Sequence, residues 1–191
     1  MKVILKRLTV GSLCFTSVFV VFYYKLNMEL FFSLAITFGT TFYHFAMRLM
    51  VGGIIDYVMN NHADYNKRWY QQRSFEKDLY KKLKVKEWKN KMPSYEPSLF
   101  SVENKSFDEI AQAMCQAEIV HEIIILFSFL PILSVRWFGA LPIFVITSIG
   151  AAAFDMIFVI MQRFNRPRIV KLAEREKRRK QNEVKEAQHE R

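Results

Sequence analysis

Four apolar runs decide which solvent this chain is built for: Leu8 to Leu26, Met28 to Met47 continuing to Met59, Ala117 to Val135, and Trp137 to Met161. Each can cross a hydrocarbon core, which takes about 20 helical residues at a rise of about 1.5 Å per residue. In lipid every backbone N–H and C=O must be satisfied within the segment, so an isolated run of that length is a helix. The 191 residues are therefore expected to form an all-α integral membrane protein with four transmembrane helices, at about 8–26, 28–59, 117–135 and 137–161. The long polar segment 60–114 separates the second span from the third. By this reading residues 1–168 are a membrane domain that includes the loop, and 169–191 are a charged tail.

A formal net charge of +10 would suit a nucleic-acid partner, but the placement of the cations argues for another cause. Lys2, Lys6 and Arg7 precede the first run, eleven Lys and Arg lie between Asn60 and Met114, and eleven follow Met161. The two short connecting turns hold only Lys25 and Arg136. By the positive-inside rule both termini and the long loop are cytoplasmic, in a multi-pass protein of the cell membrane. Attraction to anionic phospholipid headgroups is the partner this pattern suits, and no nucleic acid is expected. The basic start and apolar middle of the first run also describe a secretory signal, but Phe22-Tyr23-Tyr24-Lys25 offers no small-residue cleavage site, so a retained anchor is expected.

In the second run the polar groups come late: His44 and Arg48, four apart on one helical face, then Asp56. Gly52-Gly53 would permit a bend or a close helix approach before the end of that run. The loop threads Tyr65, Trp69, Phe75, Leu79, Tyr80, Leu83, Val85 and Trp88 through nine Lys and Arg, from Lys67 to Lys89. A basic amphipathic helix lying in the membrane interface has this pattern. Met92-Pro93 would stop it, Ser94 to Ser106 reads as an irregular turn, and Ser106-Phe107-Asp108-Glu109 has the form of an N-cap opening the helix that enters the third span.

Spans two and four descend toward the cytoplasm and span three rises from it. His44, Arg48, Asp56, Glu118, His121, Asp155, Gln162, Arg163 and Arg166 then all fall in the cytoplasmic half. Ionisable groups at the centre of a span cost about 2.5 to 3.5 kcal/mol each on insertion scales, so such a gathering suggests a shared site. Glu118 and His121 stand three apart, on one helix face, with the carboxylate in reach of a ring nitrogen, an arrangement suited to general-base chemistry on a lipid. Each residue has a plainer reading. Glu118 can simply favour a helix N-terminus, Arg163 and Arg166 can be interfacial anchors, His44 and Arg48 can be packing, and Trp88 can belong to a lipid-facing belt. Asp155 suits pairing with a buried cation such as Arg48 or with a neighbouring His. Two cysteines, Cys14 and Cys115, make no disulfide framework or metal cluster. Without a Gly-rich nucleotide loop, HExxH or GxSxG, neither a metal nor a tightly bound cofactor is expected.

Three segments resemble the bacterial glycosyl-4,4'-diaponeurosporenoate acyltransferase family: Lys86-Glu87-Trp88-Lys89-Asn90-Lys91-Met92-Pro93, Ala117-Glu118-Ile119-Val120-His121, and Gln162-Arg163-Phe164-Asn165-Arg166-Pro167-Arg168. Their order and spacing are similar to the family's over roughly Asn66 to Arg168. The resemblance implies an O-acyltransferase that moves an acyl chain from a thioester, acyl-CoA or acyl-carrier protein, to a hydroxyl of a membrane lipid or glycosylated isoprenoid, as in carotenoid biosynthesis. Placement and resemblance together suggest His121 as general base, with Glu118 holding its tautomer. Arg163 and Arg166 would grip donor phosphates or the oxyanion, and Asn165 would add a neutral donor. His44 and Arg48 would join the binding site, and Trp88 would cover it. A non-enzymatic membrane scaffold, or a small membrane methyltransferase or reductase using the same His and Arg, stays open from the residues alone.

Overall fold

The computed structural model describes residues 2–92 and 96–189, so the stop expected at Pro93 and the start of the turn after it lie outside the described residues. Every regular element among them is helical. α1 (Lys2–Leu26) and α2 (Glu29–Met59) are followed by a 3₁₀ turn at Arg68–Tyr70, then α3 (Ser74–Lys82) and α4 (Val85–Trp88). α5 (Phe107–Phe127), α6 (Val135–Phe138) and α7 (Leu141–His189) complete the chain. Among the described residues four stretches are long and apolar enough to cross a membrane: Lys2–Leu26, Glu29–Met59, Phe107–Phe138 and Leu141–Gln188.

Contacts divide the chain into two units, Met1–Val58 with Val120–Phe158, and Met59–Ile119 with Val159–Arg191. In the first, α1 meets α2 through an aromatic ladder. Phe38 lies against Phe15 and Phe19 at ring separations of 5.0 and 5.4 Å, Phe31 against Phe22 at 5.3 Å, and Phe32 against Tyr23 at 5.1 Å. Asn27, in the left-handed region at φ 50°, closes the turn between the helices, a conformation Asn tolerates better than most residues. A Cβ on Gly39 would lie 3.5 Å from Thr16 Cγ2, an ordinary van der Waals contact, so the packing of α1 on α2 does not depend on glycine there. The hydroxyls of Thr16, Thr40 and Ser128 each donate to the carbonyl four residues back, which satisfies them without a partner helix. Met47, Val51 and Ile124 form the buried centre of this unit, with Tyr43, Ile55, Val120 and Ile123 packed around them.

Tyr65, Ala111 and Cys115 form the centre of the second unit, joined by Ala63, Tyr70, Ile169 and Val170. The expected N-cap opens α5 as a capping box: Ser106 Oγ accepts from the Glu109 N–H at 3.3 Å and Glu109 Oε2 accepts from the Ser106 N–H at 2.9 Å.

Three features differ from the sequence reading. α2 runs as one helix through Gly52 and Gly53, and a Cβ at either would meet nothing within 4 Å, so neither a break nor a close approach occurs there. The loop is not a single amphipathic helix: Lys84, left-handed at φ 49°, separates α3 from α4, and Tyr65, Tyr80 and Val85 turn inward. Third, α7 continues unbroken past residue 168. Pro167 lies inside it, Ile169 and Val170 pack in the second unit, and Ala173 is buried, so the charged segment begins as packed helix. Proline there removes one intrahelical N–H bond and is tolerated because the flanking turns are anchored by side chains.

Candidate functional site

Asp155, on α7 and 1 % exposed, is the charged centre of the first unit. One carboxylate oxygen pairs with Arg48 Nη2 of α2, and the other accepts from His121 Nδ1 of α5 at 2.8 Å. Arg48 reaches this position from one turn past His44. Its Nη1 donates to the His44 carbonyl at 2.9 Å, its Nη2 to the Ala151 carbonyl at 3.2 Å, and its guanidinium lies 5.9 Å from the centre of the Phe154 ring. The His121 ring stacks on Phe158 at 4.7 Å and 9° between planes. A proton held on Nδ1 by a carboxylate leaves the lone pair on Nε2, which is the tautomer a general base requires.

His44 is 5 % exposed, and among the described residues neither of its ring nitrogens has a hydrogen-bond partner. Tyr43 meets the ring edge-on at 5.5 Å. A buried polar group without a partner costs about 1–3 kcal/mol.

The expectation that Glu118 orients His121 is corrected by these contacts: Asp155 holds the ring. Glu118, fully buried, belongs to a second cluster, in the second unit. Its Oε1 accepts from Arg163 Nη1 at 2.6 Å and its Oε2 is ion-paired with Arg166 Nη1. Arg163 also lays Nε against both oxygens of Glu76, at 3.2 Å each, and Nη2 on Glu76 Oε1 at 2.6 Å. Its remaining donors go to the carbonyls of Trp69 and Gln71, both at 3.0 Å. All five N–H groups of that guanidinium are thereby used. Arg166 donates to Cys115 Sγ at 3.5 Å and stands 5.2 Å from the centre of the Tyr70 ring.

Two guanidiniums and two carboxylates make this a neutral cluster, in which Arg163 and Arg166, expected to grip the acyl donor, are engaged with Glu76 and Glu118. Tying the 3₁₀ turn, α3, α5 and α7 together is what their geometry does. Burial disfavours the charged form of Glu76, but hydrogen bonds from Arg163 and Tyr80 outweigh it and hold the carboxyl below its ordinary range. Burial, then the bond to Glu76 at 2.6 Å, pushes the Tyr80 hydroxyl well up.

Asn165 Oδ1 accepts from Lys89 Nζ at 2.6 Å, and that ammonium lies 5.1 Å from the centre of the Phe164 ring. Burial, with Arg168 and Lys86 nearby, lowers the Lys89 ammonium's affinity for its proton. Trp88 is half-buried and donates Nε1 to the Leu83 carbonyl at 2.9 Å. Glu76 was not singled out by sequence reasoning, and Tyr80 was read only as one ring of an interfacial helix. Their signal was present as an i,i+4 pair in which Glu76 is one of only two acids in a lysine-rich stretch from Lys67 to Lys86.

A comparison with protein-family models matches residues 66–175, more than half of the chain, to a family described as glycosyl-4,4'-diaponeurosporenoate acyltransferase. No curated protein and no solved structure matches. The matched range holds His121, Asp155, Glu118, Arg163 and Arg166, whereas His44 and Arg48 precede it.

Proposed function

Because the chain belongs to the glycosyl-4,4'-diaponeurosporenoate acyltransferase family, acyltransferases of carotenoid biosynthesis, we propose that it transfers an acyl chain from a thioester, acyl-CoA or acyl-carrier protein, to a sugar hydroxyl of a membrane lipid or glycosylated isoprenoid at the cytoplasmic face. The observation that carries this reading is the His121–Asp155–Arg48 arrangement, a base with its orienting carboxylate and that carboxylate's counter-charge.

In the reaction His121 Nε2 takes the proton of the acceptor hydroxyl as its oxygen attacks the thioester carbonyl carbon. The tetrahedral intermediate collapses with cleavage of the C–S bond, the ester forms, and the departing thiolate receives the proton from the imidazolium. Asp155 accepts the Nδ1 proton's hydrogen bond throughout and stabilises the positive ring. Arg48 balances the charge of Asp155, which matters where water is scarce. His44, whose buried ring nitrogens have no partner among the described residues, would hydrogen-bond the polar end of a substrate. Glu118, Arg163 and Arg166 serve as the frame of the second unit.

Lipid mass spectrometry on cells lacking the protein tests this, with complementation by wild type, His121→Ala or Asp155→Asn at matched membrane abundance. Wild type restores an acylated lipid. His121→Ala lowers its formation by about 10²- to 10⁴-fold, the range of a positioned acid–base group. Full restoration of every lipid by His121→Ala would overturn the base assignment.

A further inference from the structure

The second unit carries a partly exposed apolar face on and beside α3. On α3, Glu76 and Tyr80 point inward, 5 % and 4 % exposed. Phe75, Leu79 and Leu83, spaced four apart along the helix and its C-cap, are 58 %, 39 % and 43 % exposed. At about 100° per residue these three cover an arc of about 80°, with Lys82 flanking one edge and the inward Glu76 side the other. Trp69, in the 3₁₀ turn just before α3, is 56 % exposed.

The charges around this face are predominantly positive. Lys67, Arg68, Arg73, Lys77, Lys81, Lys82, Lys84 and Lys86 are exposed, against Asp78 as the exposed carboxylate between Lys67 and Lys86. The weak Lys81–Asp78 contact, at 3.8 Å with both groups largely in solvent, offsets little of that excess. A protein partner with an acidic rim would also fit charge alone. The apolar stripe is only three aliphatic or aromatic side chains long, however, and is ringed by flexible ammonium groups, the pattern of a helix lying at the acyl boundary with its cations among phosphates. Tethering favours the same occupant, since α3 begins fifteen residues after α2, a membrane-length helix, ends at Met59.

We propose that Trp69, Phe75, Leu79 and Leu83 insert into the interface of an anionic bilayer, with the surrounding lysines and arginines on its phosphates. This surface is independent of the His121 assignment and has a readout that needs no turnover.

The full chain, with Trp88→Phe and Trp137→Phe leaving Trp69 as its sole tryptophan, is reconstituted into vesicles of phosphatidylcholine alone or mixed with phosphatidylglycerol, with or without brominated acyl chains. In phosphatidylglycerol vesicles the brominated chains quench Trp69 emission at least twofold, and Leu79→Ser with Leu83→Ser removes most of that quenching. Replacing Lys77, Lys81 and Lys82 by Glu, or working in pure phosphatidylcholine at raised salt, weakens it as screening of exposed charge requires. Emission unaffected by brominated lipid in either vesicle would overturn the proposal. So would quenching of equal strength with and without anionic lipid, or shielding of Trp69 from aqueous iodide that rises with protein density and ignores brominated lipid, the signature of a second copy on this face.

Discussion

Asp155 and His44 lie in the same unit, yet removing their polar atoms should have opposite consequences. Asp155→Asn leaves the Arg48 guanidinium, with only 12 % of its side chain exposed, without its counter-charge. Losing one partner of a buried pair costs about 3–5 kcal/mol, because the other charge remains desolvated. His44→Leu instead removes two buried nitrogens that have no hydrogen-bond partner among the described residues and keeps similar volume, so stability should stay within about 1 kcal/mol of wild type or rise. In nanodiscs, thermal unfolding should therefore show a clear drop in Tm for Asp155→Asn and none for His44→Leu, while both lose acyl transfer in the lipid assay. An equal fall in Tm for His44→Leu would give His44 a structural partner and remove it from the substrate site. The Asp155 pairing was within reach of sequence reasoning, since a buried carboxylate in a span needs a cation and Arg48 was the candidate on the second span. That His121 shares the same carboxylate was open, because the sequence offers Glu118 at helical spacing as a competitor.

Among elements, α3 depends on one side chain of another helix. Arg163 of α7 holds Glu76 of α3 and the carbonyls of Trp69 and Gln71 ahead of it, together with Glu118 of α5. Lysine keeps the charge but has three rotating donors on one atom and cannot reproduce this fork. Arg163→Lys should lower stability by about 2–4 kcal/mol, with the loss concentrated locally; hydrogen exchange across residues 68–82 should rise at least tenfold while α2 is unchanged. The pH dependence follows from Glu76, whose carboxyl is held below its ordinary range by Arg163 and Tyr80. Its stabilising contribution is complete above the unfolded carboxylate range and is lost as pH falls through the lowered folded value. Protection of residues 68–82 should thus be flat from pH 7 to about 5 and decline only in more acidic buffer, a decline that Glu76→Gln abolishes. The start of α5 was legible because a capping box is local, with donor and acceptor three residues apart. The loop was less so. Its alternation of rings and lysines matched one interfacial helix, but a left-handed Lys84 and the inward demand of Arg163 for Glu76 divide it into two short helices with an inner and an outer face.

For the chain as a whole, the four membrane-length helices were readable because lipid imposes a single requirement, backbone bonds closed within about 20 apolar residues, that length and composition alone can meet. Glu118 and His121 show where such reading stops: three residues apart on α5, they take partners in different units, since helical spacing brings side chains to one face but says nothing of which cations pack against it. Topology is the remaining consequence of the cation pattern, and it can be tested directly. Cys14 and Cys115 are first replaced by Ser, and single cysteines are placed at Met28 between α1 and α2, at Phe138 at the end of α6, at Glu103 in the long loop and at Val184 in the last helix, positions that are all exposed. If the 22 Lys and Arg of the loop and of the chain after Met161 are retained inside, an impermeant maleimide added to intact cells labels Met28→Cys and Phe138→Cys only. Glu103→Cys and Val184→Cys then react after the membrane is opened. Labelling of Glu103→Cys in intact cells would place the basic loop outside and reverse the orientation. Opposite sidedness of Glu103 and Val184 would instead require an odd number of crossings between them, which breaks the reading of Phe107–Phe138 and Leu141–Gln188 as two separate spans.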